Sequence, residues 1–248
     1  MKKELKPAER LIVAADFKPS LGNGRKWVRD QVLSLANTLH GTGVTLKVNS
    51  ALRACGYDLI DEIKERGLKV FADLKLYDIG ETLSTDAALL REFKPDFLTV
   101  SCVVGTKALM TLKTELPDTE LLGVTVLTSI SDAEAELIHR TPVNAAVMML
   151  AKLAATANLG GLISAPAEAT ALREFVGTSM TINTPGIRPG WSIVKGDDQN
   201  QNRVMTPADA IKAGADRIVV GRPIVNDKSP YDAVMRTIDE IASAASAN

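Results

Sequence analysis

The sequence predicts an α/β protein, a single-domain (β/α)8 (TIM) barrel spanning residues 1–248, and three observations carry that prediction. Eight short apolar or β-branched runs each lead through turn residues into a longer stretch of helical periodicity. The rhythm continues over 248 residues with no linker or break in composition, which is the usual size of such a barrel. Apolar residues make up 46% of the chain but aromatics only 4%, so the core is built from Ala, Val, Leu and Ile, a mixture suited to helices packed on parallel strands. A doubly wound open sheet shares this alternation. No G-x-G-x-x-G or G-x-x-x-x-G-K-[S/T] follows any run, however, which takes support from its nucleotide-binding forms.

In chain order, residues 11–15 are an apolar run stopped by Asp16, and residues 44–48 a second run that carries Lys47. Residues 51–63 read as helix, because Leu52, Cys55, Leu59 and Ile63 fall three or four apart. Strand three is expected over residues 69–74. The helix after it, residues 79–93, places Ile79, Leu83, Ala87, Leu90 and Phe93 on one face. Residues 97–102 and 121–127 supply strands four and five, and Ser131 with Glu134 three residues on forms a capping box. Residues 160–164 and 180–183 are strands six and seven. Thr206, Pro207 and Asp209 mark a capped helix start with proline at its first position, and residues 217–221 complete the set.

Twenty-nine basic against thirty acidic residues leave a net charge of −1, which argues against a nucleic-acid-coating surface or a polybasic membrane anchor. The first 17 residues are too charged for a signal peptide, and no apolar stretch approaches the roughly 18 residues that span a bilayer. A cytoplasmic protein is expected. Cys55 and Cys102 form neither a disulfide framework nor a metal-spaced pair, and both are expected to be buried, reduced thiols. With only His40 and His139 in the chain, and neither beside a nucleophile motif, hydrolytic triads are set aside and no metal site is expected.

Barrel active sites lie where strands end and loops begin at the carboxyl face. The polar residues at those ends are Asp16, Lys47, Asp73 with Lys75, Ser101, Thr125 with Thr128, Ser164, Arg188 and Arg222. Strand alternation puts Asp73 and Lys75 on one face, the barrel interior, while Asp78 has turned into the following loop or helix. Lys47 ends the neighbouring strand and points at the same mouth. An ordinary ion pair closing the barrel fits these residues too, but an alternating array of Lys47, Asp73, Lys75 and Asp78 at low dielectric suits electrostatic catalysis, each unit pair at 4 Å counting for about 4 kcal/mol at an effective dielectric of 20. A second cluster follows strands seven and eight, the usual phosphate site of these barrels. There Gly221 lets a backbone amide approach an anion, and Arg222 supplies a bidentate charge.

These residues resemble a known family. Asp73-x-Lys75-x-x-Asp78-Ile79-x-x-Thr82 is similar to the central motif of the orotidine 5′-monophosphate decarboxylases, and residues 184–189, 203–207 and 220–223 are similar to its closing motifs. The central motif alone is shared with related phosphosugar barrels; the set in this order is highly specific. The resemblance implies decarboxylation of orotidine 5′-monophosphate to uridine 5′-monophosphate in pyrimidine nucleotide biosynthesis, with no cofactor, by a homodimeric lyase. It implies that Asp16 and Lys47 hold the ribose hydroxyls, that Asp73 sits against the substrate carboxylate, and that Lys75 protonates the pyrimidine carbon. Asp78 and Thr82 would reach into the partner subunit's site, Ile79 would be among the substrate-binding residues, Thr128 would contact the pyrimidine, and Arg188, Gln201, Gly221 and Arg222 would bind or cover the phosphate.

The chain departs from the family pattern in two places. Asn49 stands where the family commonly has glycine after Lys-Val on the second strand. The segment between Arg188 and Arg203 is long and offers both Gln199 and Gln201; spacing back from Met205-Thr206-Pro207 favours Gln201, and the preceding Asp197-Asp198 favours Gln199. The related phosphosugar enzymes that hold magnesium end the second strand in an acid, whereas Lys47 is a cation that would repel the metal.

Overall fold

The computed structural model describes residues 4–193 and 205–245. Eight parallel strands close into a barrel in sequence order: β1 (Leu11–Ala14), β2 (Thr45–Val48), β3 (Lys69–Leu76), β4 (Phe97–Ser101), β5 (Glu120–Val124), β6 (Gly161–Ile163), β7 (Thr181–Thr184) and β8 (Arg217–Val220). Closure is made where Ile12 of β1 pairs with both Thr45 of β2 and Val219 of β8. All eight strands fall where the apolar runs predict them.

The connecting helices are α1 (Arg25–Thr38), α2 (Ser50–Cys55), α3 (Asp58–Lys64), α4 (Gly80–Phe93), α5 (Thr106–Glu115), α6 (Asp132–His139), α7 (Val143–Thr156), α8 (Ala169–Val176), α9 (Pro207–Lys212), α10 (Arg222–Val225) and α11 (Pro230–Ala245). Both start signals are realised. Ser131 accepts from the Glu134 amide while Glu134 accepts from the Ser131 amide at 2.8 Å, and the Thr206 hydroxyl caps the Asp209 amide at 3.2 Å.

Three expectations are corrected. The helix expected over residues 51–63 is two helices, because Gly56 takes a φ of +89° that ends α2; the apolar spacing survives across the break and masks it. Ile79 does not join the buried face of its helix but precedes α4 and is 70% exposed. Cys55 is only partly buried, whereas Cys102 is fully buried and burial pushes its thiol up to about 12, which keeps it unreactive.

The core has two shells. Leu11, Val13, Leu46, Val70, Leu98 and Ile218 belong to a large outer cluster between strands and helices, while Ile12, Ala14, Phe71, Phe97, Leu122 and Val219 fill the barrel itself. At the amino ends of the strands a buried polar layer replaces the apolar one. Arg217 grips Glu120 through both guanidinium nitrogens at 3.0 Å, reaches Asn183 at 3.2 Å and stacks 4.5 Å over Phe97. Gly161 is required beside this layer, since a Cβ there would stand 2.0 Å from Thr181 Oγ1. That polar layer fills the amino end of the barrel, opposite the carboxyl mouth. Among the described residues no helix is long and apolar enough to cross a membrane.

Candidate active site

The carboxyl mouth is organised around one carboxylate. Asp73, on the interior face of β3, is buried, and four donors surround it. Its Oδ1 accepts from Lys75 Nζ at 2.7 Å and from Thr99 Oγ1 at 2.9 Å; its Oδ2 accepts from Lys47 Nζ at 3.2 Å and from Asn49 Nδ2 at 3.4 Å. Burial pulls the Asp73 carboxyl upward, but the charges of Lys47 and Lys75, with the hydrogen bonds from Lys75 and Thr99, outweigh it and hold the group below its ordinary value. Asp73 is therefore a carboxylate at neutral pH.

Lys47 is the second node. Its ammonium lies between Asp73 and Asp16, whose oxygens are 3.0 and 3.2 Å away, and its side chain is 9% exposed against 56% for Asp16. Charges thus alternate Asp16, Lys47, Asp73, Lys75 from β1 to β3, with Lys75, 35% exposed, at the open edge. Lys47 bridges the carboxylates of Asp16 and Asp73. Among the described residues no three of His, Cys, Asp and Glu converge as metal ligands.

β3 is irregular at the point where this chemistry sits. Ala72 pairs with Leu98 and Leu76 with Val100, so Asp73, Leu74 and Lys75 all stand opposite the single Thr99 of β4. Lys75 takes a φ of +48°, the left-handed region that a non-glycine residue seldom adopts. Alternation correctly places Asp73 and Lys75 on one face but does not foresee this turn.

A sequence profile described as orotidine 5′-phosphate decarboxylase / HUMPS family matches residues 9–237, which include all eight strands. The chain belongs to this family. Two curated relatives named orotidine 5′-phosphate decarboxylase agree: the protein of Afipia carboxidovorans is 38% identical over 96% of this chain and 97% of its own, and that of Rhodopseudomonas palustris is 39% identical over 95% and 96%. The crystal structure of orotidine 5′-phosphate decarboxylase from Lactobacillus acidophilus superposes with a TM-score of 0.75 at 31% identity, covering 94% of this chain and 99% of that one.

The other residues that the family motif singles out are distributed around the mouth. Asp78 is exposed beyond β3, accepting from the Ile79 amide at 2.7 Å, and Thr82 is exposed on the first turn of α4. No hydrogen bond or ion pair among the described residues joins Asp78 to Lys75, so within one chain the charge array is completed by Asp16 instead. Strand five ends at Val124, earlier than expected, which leaves Thr125 to cap the Ile163 carbonyl at 3.0 Å and puts Thr128 in an exposed loop. Arg188 is partly buried after β7, its amide bonded to the Met205 carbonyl at 3.1 Å. Gly221 and Arg222 lie where β8 passes into α10, and Arg222 is exposed. Gly221 has a φ of −111°, and a Cβ would meet Ala14 Cβ at an ordinary 3.5 Å, so neither backbone angle nor internal packing demands glycine there. Gln199 and Gln201 lie outside the described residues.

Two residues in contact with the site, and one buried acid after β6, were not singled out from the sequence. Thr99, in mid-strand, looks like β-branched filler. Arg53 holds both the Asn49 side chain and, at 2.7 Å, the Leu74 carbonyl, so the departure at Asn49 is built into the wall of the site. Glu168, after β6, is buried, and desolvation pushes its carboxyl up to about 7 despite a hydrogen bond from the Ala165 amide.

Proposed function

We propose that the chain is an orotidine 5′-monophosphate decarboxylase that works without a metal or organic cofactor, as one barrel domain paired in a cytoplasmic homodimer. One observation carries the reading: a buried carboxylate, Asp73, fixed between two ammonium groups at the carboxyl end of the barrel. A cofactor-free decarboxylation leaves an electron pair in the plane of the pyrimidine ring, where no conjugated sink can take it up, so a fixed cation must face the carbon.

In this reading Asp16 and Lys47 hold the ribose hydroxyls, and the substrate carboxylate lies beside Asp73. The bond to carbon dioxide breaks, the electron pair stays on the ring carbon, and the Lys75 ammonium delivers its proton there, giving uridine 5′-monophosphate; solvent returns the proton to Lys75. Thr128 contacts the pyrimidine. Arg188, Gln201, Gly221 and Arg222 bind the phosphate, whose distant contacts supply binding energy that orders the mouth. Glycine at position 221, unneeded for packing, leaves room for an anion to approach the backbone.

Asp78 and Thr82 are read as reaching the partner's site, and Ile79 as a substrate-binding residue. Tyr77 and Ile79, at 71% and 70% exposure on either side of Asp78, support a surface covered by a second copy. Incubation of the purified protein with orotidine 5′-monophosphate tests the activity, with uridine 5′-monophosphate and carbon dioxide expected in equal amounts. Release of neither by folded protein refutes it.

A further inference from the structure

We propose that Thr99 is a positioning residue for this reaction, its hydroxyl locking the Lys75 backbone and the Asp73 carboxylate into one rigid unit. The inference rests on the reading of Lys75 as proton donor. Its basis is the place where β3 loses register: three residues of β3 face one of β4, so the Lys75 amide has no regular ladder partner, and Thr99 Oγ1 accepts it at 2.9 Å. The same oxygen donates to Asp73 Oδ1 at 2.9 Å.

The partners settle which way the proton points. A backbone amide can only donate and an ionised carboxylate can only accept, so the Thr99 hydroxyl spends its one hydrogen on Asp73 and a lone pair on Lys75. Thr99 is 1% exposed, which keeps water from substituting for either bond. Its second branch stiffens χ1, so the oxygen is held between the two groups rather than swinging past them. A left-handed lysine is strained and persists only where its surroundings over-determine it. Here the amide is held by Thr99 and the ammonium by Asp73, and Asp73 is itself held by Thr99, which closes a small ring of contacts.

Substrate affinity, set largely by the distant phosphate in this reading, does not depend on that ring; proton delivery does. Thr99→Val keeps the shape and removes the hydroxyl, and is expected to lower kcat by roughly tenfold to a hundredfold with KM changed by less than about threefold. Thr99→Ser, which keeps the hydroxyl, is expected to recover kcat to within about fivefold of the parent. Hydrogen exchange of the Lys75 amide, slow in the parent, should accelerate at least about tenfold in Thr99→Val and stay slow in Thr99→Ser.

Parental kcat in Thr99→Val, or equal losses in the valine and serine variants, overturns the proposal. Should Thr99→Val not fold, the alanine and serine variants, which differ by one hydroxyl, decide it by the same criteria. If the parent itself releases no carbon dioxide, the functional reading falls, and the Lys75 amide exchange still decides the clamp on its own.

Discussion

Lys75 Nζ and Asp73 Oδ1 stand 2.7 Å apart across a stretch of β3 that is not a regular strand. The contact coexists with a left-handed backbone at Lys75, whose φ is +48°. Opposite charges, a bulge and a strained residue coincide at one point of the barrel mouth, as expected where surrounding structure is spent on holding a reactive group.

Lys75→Ala tests the proton-donor role. Turnover is expected to fall by roughly a hundredfold to ten-thousandfold, the span of a positioned acid, while far-ultraviolet circular dichroism and oligomeric state stay those of the parent. Near-parental turnover in a folded variant contradicts the assignment.

Much of this site was legible in the sequence because charge at the end of an apolar strand is conspicuous. Asp16, Lys47, Asp73 and Lys75 stood out by position alone, and the structure brings all four together. What was hidden depends on contacts between distant parts of the chain. Thr99 acquires meaning only because β3 slips register against β4, and a β-branched residue in a strand carries no sign of it. The Glu120–Arg217 pair joins residues 97 apart. Gly56 is the reverse case, a local breaker overridden in the reading by apolar spacing that the two short helices happen to preserve.

The intersubunit role proposed for Asp78 predicts complementation. Asp78→Ala and Lys75→Ala should each be nearly inactive alone. Unfolded together and refolded as a mixture, they should regain about a quarter of parental activity, since half the dimers are hybrids carrying one intact site of two. A mixture no more active than its components removes Asp78 from the partner's site.

Arg222→Ala tests the phosphate pocket. Loss of a charge-assisted contact worth about 1.5–3 kcal/mol should raise KM roughly tenfold to a hundredfold, with a smaller loss of kcat. Steady-state kinetics matching the parent would place the phosphate elsewhere.

Glu168 predicts a pH-dependent stability. Its carboxyl is raised from 4.5 to about 7, so the folded protein binds this proton more tightly than the unfolded chain does. The resulting advantage is present at low pH and is lost as pH rises through about 7, where a buried carboxylate must be carried. Glu168→Gln removes that burden, so its stability relative to the parent should improve by about 2–3 kcal/mol between pH 5 and pH 8 in denaturant titrations. A difference independent of pH would show that Glu168 is not desolvated as described.

In the proposed reaction Lys47, Asp73 and Lys75 decarboxylate orotidine 5′-monophosphate with no metal in the array. The most direct measurement follows loss of the substrate's ultraviolet absorbance by the purified protein in excess chelator, with and without added magnesium. Rapid loss at the same rate is expected in both. Absorbance that holds steady with well-folded protein, or a loss that the chelator abolishes and magnesium restores, would contradict it.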